Sequence, residues 1–374
     1  MRVMLVHEAC GGGSARHVAD LVSGLLARDH DVSLVFSPQR AEPWFIETIN
    51  SLDRLDVHSL AMDRSITFSD LTNCRELKRL IDVHGPFDLL HGHSSKAGAL
   101  LRLAQIGNKT PIVYTPHAPI TMDPELSVLA RTAYLIVERL LAGLCARIIC
   151  VSPAERDHLQ NMGFSAQKLR VVCNGIGALP QRERGRIREK MGIDADKVCF
   201  GCVGRITHQK AINHALSAFA AVCREINDIR LVIVGDGPDL STMEQLSADL
   251  GISQQVIFTG AANGTELMAG FDIFLLPSRY EGMPYVLLEA AASNLPIIMT
   301  DVGGADLVVR DGENGFVVGR GQHDELVDRM SLLARQPQLR QNMSAKSAEI
   351  AATFSLDRMI SGTLSVYEEL ISDQ

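Results

Sequence analysis

The stretch from Phe271 to Ala290, FDIFLLPSRYEGMPYVLLEA, contains two apolar runs separated by a polar turn. Its first part, DIFLLPS, has the length and composition of a buried β-strand. Pro284 suits the first turn of a helix, because its fixed φ angle fits that position. Glu289 then follows about five residues into the helix, ~7 Å along its axis. The stretch therefore predicts one strand–loop–helix unit.

The same alternation of short β-branched runs and helical segments continues along the whole chain. In the first half the predicted strands are RVMLVHE, DVSLVFS, LDVHSL, DLLHGH, PIVYTPH, ARIICVS and LRVVCNG. In the second half they are VCFGCVG, RLVIVGDG, QVIFTG, DIFLLPS, PIIMTD and GFVV. Continuous apolar strands that alternate with helices predict parallel sheets covered by helices on both faces.

A polar, arginine-rich connection, ALPQRERGRIREKMGIDADK, follows Asn174-Gly175 and interrupts this alternation. We therefore predict an α/β fold of two doubly wound, Rossmann-like domains, 1–175 and 176–355, whose parallel sheets face each other across a cleft. The alternative is a single larger sheet, which the charged connection disfavours. In such folds ligands bind at the carboxyl ends of the strands.

The composition indicates a globular protein and excludes some function classes. The 374 residues are 46% apolar and carry a net charge of −8, which disfavours broad nucleic-acid binding. Eight scattered cysteines, mostly in apolar runs, indicate a reducing cytoplasmic location. The N-terminus has no signal-peptide pattern, and the apolar segment from Leu140 to Ser152 is interrupted by Arg147, so no membrane-spanning helix is predicted.

Glu281 and Glu289 are the most informative pair of carboxylates in the chain. Gly282 allows close approach to the start of the predicted helix, where the N–H groups of Met283 to Val286 can bind an anion. Carboxylates bind pairs of hydroxyl groups well, so one can contact a sugar ring and the other a ribose. In the alternative interpretation, one glutamate only caps the helix and the other is a surface charge of an amphipathic helix. Because both glutamates occur together in this setting, binding of sugar and ribose is the favoured interpretation.

Two other loops follow predicted strands. Arg205 and Lys210, in VGRITHQKAI, suit a diphosphate that gains negative charge as it leaves. Gly12 and Gly13 lie in GGGS after the first strand, where they serve either a tight turn or direct contact with a ligand. They do not complete a dinucleotide fingerprint, because Arg16 occupies the third glycine position.

No metal site is predicted from the sequence. Asp194-Ala195-Asp196 is a D-x-D string, but it falls in a turn before a strand. His91 and His93 point to one face of a strand, with no third ligand visible.

The chain resembles the retaining glycosyltransferases of family 4, which have the two-domain GT-B fold. In the first half the similar segments are GGGSARHVADL, YTPHAP, IICVS and VVCNGI. In the second half they are VGRITHQK, LVIVGDGP, VIFTG, FDIFLLPSRYEGMPYVLLEA, PIIMTDVGG and DGENGFVV. HGHSSKAGALLRLA is also similar to members that build bacterial surface polysaccharides. Ala211 departs from the family, in which a glycine usually follows the lysine.

The resemblance implies a role for each candidate residue of the second half. Arg205 and Lys210 hold the donor diphosphate, together with the helix start at Pro284. Glu281 contacts the donor sugar, and Glu289 contacts the nucleoside ribose. The backbone near Gly260 reads the base.

In the first half, the resemblance implies that Gly12 and Gly13 close over the diphosphate and that His117 faces the sugar and the acceptor. A buried structural histidine is the alternative for His117. The tail, residues 356–374, is expected to be a helix that returns to the first domain.

The resemblance implies a metal-independent, cofactor-free hexosyltransferase that retains the anomeric configuration. UDP-sugar is the first expectation for the donor, and GDP-mannose is the second. The acceptor is expected to be a sugar or a lipid-linked glycan of polysaccharide or lipopolysaccharide synthesis. A nucleotide-sugar epimerase of the same fold and an inactive nucleotide-sugar-binding partner are the alternatives.

A lipid-linked acceptor would bring the first domain to the inner face of the plasma membrane as a peripheral contact. The segment between Pro124 and Ala146, which contains TAYLIVERLLAGL, is either part of the core or an interfacial face, and the core is the preferred interpretation. The oligomeric state stays open.

Overall fold

The computed structural model describes residues 1–63 and 67–372. The chain forms two compact units: the first consists of Met1–Gly175 with the C-terminal segment from Leu356, and the second of Ile176–Ser355. Each unit contains one parallel sheet with helices around it. The predicted fold of two doubly wound parallel sheets is confirmed.

The sheet of the first unit has seven strands among the described residues, in the order β3-β2-β1-β4-β5-β6-β7. Their bounds are β1 Arg2–His7, β2 Asp31–Phe36, β3 Asp56–Ser59, β4 Leu89–His93, β5 Ile112–Thr115, β6 Arg147–Cys150 and β7 Leu169–Val171. Every residue of β4 is buried, as expected for a strand covered on both faces.

The helices of the first unit connect these strands. Their bounds are α1 Gly12–Leu26, α2 Pro43–Asn50, α3 Ser69–His84, α4 Ser95–Ala104, α5 Val128–Ala142, α6 Pro153–Asn161 and, after the second unit, α15 Leu356–Ser372. Helix α15 packs closely on α1, because a Cβ atom on Gly24 would lie 2.0 Å from Ile360. The Tyr367 hydroxyl of α15 also hydrogen-bonds His91 Nδ1 of β4, at 2.6 Å.

The sheet of the second unit has the order β10-β9-β8-β11-β12-β13, again parallel throughout. The strands are β8 Val198–Val203, β9 Ile229–Val234, β10 Val256–Phe258, β11 Ile273–Leu276, β12 Ile297–Thr300 and β13 Gly315–Val318. The helices are α7 Arg184–Met191, α8 Ile212–Cys223, α9 Leu240–Asp249, α10 Gly264–Leu267, α11 Tyr285–Ala292, α12 Ala305–Val308, α13 His323–Arg335 and α14 Pro337–Ala351.

Helix α5 differs from the expectation that its segment belongs to the core. Leu141 is its one fully buried residue, whereas Leu129, Ile136 and Leu140 are 82%, 54% and 73% exposed. A spacing of seven and then four residues places these three side chains on one outward face of the helix. Leu135 and Ala142 of this helix pack against the core, but the outward face does not, so the preference for the core was wrong. Within residues 1–63 and 67–372, no helix is both long and apolar enough to span a bilayer.

Candidate functional site

In the second unit, the loops after two neighbouring strands meet at the carboxyl edge of the sheet. β8 leads through Arg205 to a 3₁₀ turn, His208–Lys210, and β11 leads to Ser278 and Glu281. Because β8 and β11 are adjacent in a parallel sheet, their carboxyl ends lie side by side.

Lys210 and Glu281 form the centre of this arrangement. Lys210 Nζ lies 2.6 Å from Glu281 Oε1, and the Ser278 hydroxyl donates to the same oxygen at 2.7 Å. Glu281 is 5% exposed. A buried carboxylate needs such partners, because an unpaired buried charge is costly. The sequence analysis assigned Lys210 to the diphosphate of the donor and Glu281 to its sugar. In the structure the two side chains also contact each other.

Hydrogen bonds to backbone carbonyls hold the two loops together. The Gln209 side chain donates to the Tyr280 carbonyl at 3.1 Å, and the Arg279 N–H donates to the Gln209 carbonyl at 2.8 Å. Gly304, with φ 76, brings a third loop close, since a Cβ atom there would lie 3.0 Å from the Gly282 carbonyl oxygen. The position of Glu281 is therefore determined by several loops together.

The start of α11 is more enclosed than the sequence indicated. Pro284 precedes the helix as its N-cap rather than lying in the first turn, and Gly282, Met283 and Pro284 are all buried. Glu289 is the fifth residue of α11, and its side chain is only partly buried.

Arg205 and Gly260 also lie beyond strand ends of the second sheet. Arg205 is exposed just after β8. Gly260, with φ 66, follows β10, and its carbonyl accepts the Gly235 N–H at 2.9 Å. A Cβ atom on Gly235 would lie 2.1 Å from the Gly204 carbonyl oxygen, so this edge is closely packed backbone.

Ala211 has the left-handed conformation, φ 49, directly after Lys210. The Cβ atom of an L-residue is disfavoured there, which explains physically why glycine suits this position in the family pattern.

In the first unit, the carboxyl edge of the sheet holds a cluster of histidines. His7 ends β1, His93 ends β4 with His91 two residues before it, His117 follows β5, and His17 is on α1. β1, β4 and β5 are consecutive in the sheet, which brings their ends together. The His117 ring stacks on that of His93 with centroids 5.4 Å apart, and the His17 ring is 4.7 Å from that of His117.

Hydrogen bonds orient most of these rings. His17 Nδ1 bonds Asn174 Oδ1 at 2.9 Å, and His93 Nδ1 bonds His117 Nε2 at 3.1 Å. His91 Nε2 bonds the Thr115 hydroxyl at 2.8 Å. Both nitrogens of His7 are buried with no hydrogen-bond partner among the described residues.

Burial keeps these imidazoles neutral at physiological pH. It lowers the pKa of His7 and of His17 to about 4. It also holds the pKa of His91, His93 and His117 well below the usual value, and the neighbouring imidazoles add to this effect. A neutral imidazole can both donate and accept a hydrogen bond, which suits recognition of hydroxyl groups.

The cluster changes one sequence prediction. His91 and His93 do share a face of β4. The sequence analysis did not find that two other histidines lie near His93 and could bind a metal together with it. Coordinating atoms of His17, His93 and His117 all lie within 4.8 Å of one another, close enough to hold a metal ion. These three histidines are far apart in the chain, so no spacing pattern in the sequence could have predicted that they lie together.

His117 itself lies in a constrained turn. His117 and Ala118 both have positive φ angles, 56 and 63. The Glu155 carboxylate accepts the Ala118 N–H at 2.8 Å and the Val151 N–H at 2.7 Å, so it fastens this turn to β6. Burial raises the pKa of Glu155 to about 7, although these two hydrogen bonds oppose the shift.

The sequence analysis missed Glu155, Ser278 and Asn174. A signal existed for Glu155, because Ser152 and Glu155 have the spacing of a capping box, and the Ser152 hydroxyl does accept the Glu155 N–H at 3.1 Å. The glutamate side chain, however, binds Val151 and Ala118.

Gly12 and Gly13 are exposed at the start of α1, and Gly12 has φ 64. A Cβ atom on Gly12 would meet nothing within 4 Å. The positive φ explains the glycine, and the open space leaves its backbone accessible to a ligand.

The sheets and their strand-end groups define a GT-B type of protein. The family model described as "Glycosyltransferase Family 4" matches residues 11–177, and the one described as "Glycosyl transferases group 1" matches residues 183–349. The chain therefore belongs to the family 4 glycosyltransferases.

Individual relatives agree with this assignment. "Putative glycosyltransferase EpsD" of Bacillus subtilis is 28% identical over 309 residues, which cover 78% of this chain and 79% of the relative. An Escherichia coli "UDP-Gal:alpha-D-GlcNAc-diphosphoundecaprenol alpha-1,3-galactosyltransferase" is 26% identical over 269 residues, 68% of this chain and 69% of the relative.

A solved structure shows the same fold. The structure of Anabaena Alr3699/HepE in complex with UDP and glucose superposes with a TM-score of 0.85 at 19% sequence identity. The match covers 99% of this chain and 100% of that one.

Proposed function

We propose that the chain transfers a hexose or N-acetylhexosamine from a nucleotide sugar to a hydroxyl group of a lipid-linked glycan, with retention of configuration and without a metal at the reacting centre. The Lys210–Glu281 pair at the ends of adjacent strands is the observation that carries the proposal. A cation and a carboxylate in contact can serve the diphosphate and the sugar of one donor.

The proposed donor is a UDP-sugar, with GDP-mannose second. The name of the Escherichia coli relative contains UDP-Gal as the donor, and the Anabaena protein was crystallised with UDP and glucose. Both facts concern those proteins, and they support a uridine nucleotide here.

In the proposed reaction, the bond between the anomeric carbon and the diphosphate oxygen breaks, and a bond to the acceptor oxygen forms. The acceptor proton passes to the departing diphosphate oxygen on the same face of the sugar. Arg205 and Lys210 stabilise the negative charge that develops on that diphosphate. Glu281 binds sugar hydroxyls, and Glu289 binds the ribose.

In the first unit, Gly12 and Gly13 offer accessible backbone N–H groups for the diphosphate, and neutral His117 offers a hydrogen bond to the sugar or the acceptor. The turn at His117 is held by Glu155, so its ring is placed before substrate arrives. A prepositioned group needs no reorganisation during the reaction.

The transfer assay uses the purified chain, radiolabelled UDP-sugars or GDP-mannose, and a lipid extract that contains diphosphoundecaprenol-linked sugars. We expect labelled lipid to form with one nucleotide sugar, in the presence of EDTA, and the product anomer to match that of the donor. Glu281→Gln should lower the rate at least a hundredfold, whereas the surface change Glu349→Gln should leave it unchanged.

Other outcomes would contradict the proposal in distinct ways. An epimerised nucleotide sugar in the absence of acceptor would identify an epimerase. Donor binding with no turnover on any lipid extract would identify a binding partner.

The outward apolar face of α5 supports a lipid-linked acceptor. Leu129, Ile136 and Leu140 form an apolar stripe on this helix, and Arg139 is exposed beside it. Such a face can lie in the interfacial region of a bilayer while the basic side chain meets anionic headgroups. A membrane-facing first unit would also place the protein at the inner surface of the plasma membrane.

Sedimentation with anionic liposomes tests this part separately. The double change Leu129→Gln with Leu140→Gln should reduce co-sedimentation at least tenfold. Leu71→Gln, at a leucine that is 66% exposed on α3, is the matched control and should have little effect. Equal sedimentation of both variants would exclude α5 as the contact.

A further inference from the structure

A second group of potential metal ligands lies at the edge of the first sheet, apart from the histidine cluster. Asp56 and His58 alternate on the edge strand β3, and His84 is the last residue of α3. The coordinating atoms of the three residues all lie within 4.8 Å of one another.

Two of the three distances between ligand atoms are close to those of a tetrahedral metal centre. Asp56 Oδ2 is 2.9 Å from His58 Nε2 and 3.6 Å from His84 Nδ1. In a tetrahedral zinc site, ligand atoms at about 2.0–2.1 Å from the metal are about 3.3 Å from each other. One observed distance is shorter than this value and the other is longer. Shifts of a few tenths of an ångström between Asp56 and each histidine would bring both to it.

The chemistry of the ligands also selects a class of metal. Two imidazoles and one carboxylate suit zinc and its neighbours among the divalent transition metals, whereas calcium and magnesium prefer oxygen ligands. The two imidazole rings lie 4.1 Å apart, centroid to centroid, and a bound cation would join them without requiring either to be protonated.

A neighbouring side chain orients the carboxylate. The Ser33 hydroxyl of β2 donates to Asp56 Oδ2 at 3.1 Å, and Ser33 is the register partner of Asp56 in the sheet.

Solvent can reach the group. The Asp56 side chain is 45% exposed and that of His84 is 34% exposed, which leaves room for a water molecule as the fourth ligand. We propose that Asp56, His58 and His84 bind a divalent zinc-like cation that fastens the end of α3 to β3. This site is separate from the groups assigned to sugar transfer, and it stabilises the first unit.

Titration of zinc into the chelator-treated, untagged chain tests the proposal. We expect a site of micromolar or tighter affinity and a higher melting temperature with zinc. His84→Ala should weaken this binding at least a hundredfold, and Ser33→Ala about tenfold, because a residue that orients a ligand typically contributes that much. His323→Ala, at an exposed histidine of α13, is the matched control and should bind zinc as the unaltered chain does.

Two controls separate this site from other zinc ligands in the chain. His117→Ala should retain the site, since it alters only the histidine cluster. Cobalt should give the spectrum of nitrogen and oxygen ligands without a thiolate band, which excludes the cysteines. Equal zinc affinity of the His84→Ala and unaltered chains, or no binding at micromolar zinc, would overturn the proposal.

Discussion

In the first unit the strand ends of β1, β4 and β5 carry imidazoles that burial keeps neutral, whereas in the second unit the ends of β8 and β11 carry the Lys210–Glu281 ion pair. Both sheets are parallel and doubly wound, so the backbone offers the same kind of edge in each. The fold therefore provides the place, and the local side chains decide whether that place carries charge.

The two edges also differ in how polar groups are satisfied. Glu281 has partners on two neighbouring loops, Lys210 and Ser278. His7, by contrast, has no hydrogen-bond partner for either ring nitrogen among the described residues. The second unit is thus organised around a charge, and the first around groups that must stay uncharged. Four predictions test this difference.

The largest effect is expected from Lys210→Met. This change removes the cation proposed to stabilise the leaving diphosphate, and loss of one such group typically lowers the rate by about 10²–10³-fold. It also leaves Glu281 without its cationic partner, which should lower the free energy of unfolding by roughly 3 kcal/mol. Transfer rate and melting temperature are the measurements.

Lys346→Met is the matched control, because Lys346 pairs with Glu349 on the surface, at 2.8 Å. It should change neither quantity appreciably. If Lys210→Met transferred sugar within threefold of the normal rate, the ion pair would have no role in the reaction.

Acid should selectively destabilise the first unit. His7 and His17 have a pKa of about 4 when folded, against 6.5 normally, so the unfolded chain binds protons first as the pH falls. The stabilisation is complete above pH 6.5 and is lost towards pH 4, by about 3 kcal/mol for each histidine. Trp44, the one tryptophan in the chain, lies on α2 and reports unfolding of this unit by fluorescence.

In His7→Leu, the part of the stability loss at acid pH that is due to His7 should disappear. His30→Leu is the control: burial also lowers the pKa of His30, but His30 is more exposed than His7, so its effect should be smaller. An unchanged pH dependence in His7→Leu would show that this ring is not kept neutral by folding.

Glu155 should give the unaltered chain a pH dependence of opposite sign, which Glu155→Gln removes. The folded protein holds the Glu155 proton up to a pKa of about 7, whereas the unfolded chain releases it near 4.5, so stability falls as the pH rises through this range. Relative to Glu155→Gln, the unaltered chain should lose about 3 kcal/mol between pH 4.5 and pH 7.5. Urea unfolding followed by Trp44 fluorescence measures this difference, and a constant difference would refute it.

The smallest effect is expected from Tyr367→Phe. It removes the hydroxyl bonded to His91 Nδ1 and leaves that nitrogen unsatisfied, at a cost of about 1–2 kcal/mol. Tyr134→Phe, at a tyrosine that is 45% exposed on α5, should cost almost nothing. Equal melting temperatures for the two variants would show that α15 does not support the histidine cluster.

The sequence predicted the elements of the fold well. Each apolar run from RVMLVHE to GFVV became a strand, because short runs of apolar, β-branched residues are typical of strands in a sheet covered on both faces. The sequence also predicted that Lys210 follows β8 and Glu281 follows β11, since each residue lies shortly after an apolar run.

Exposure was harder to predict. The apolar residues Leu129, Ile136 and Leu140 of α5 were predicted to belong to the core, yet all three are exposed. A periodic pattern shows which residues share a face of a helix. It does not show whether the protein or the solvent covers that face.

By itself the sequence determined the order of strands and helices, the loops that carry charge, and the family, because these depend on local patterns. Only the tertiary structure decided that Lys210 contacts Glu281, that His17 and His117 join His93, and that Glu155 holds the turn at His117. The physical reason is that parallel strands bring together residues that are far apart in the chain. Burial at those meeting points then sets which groups keep a charge.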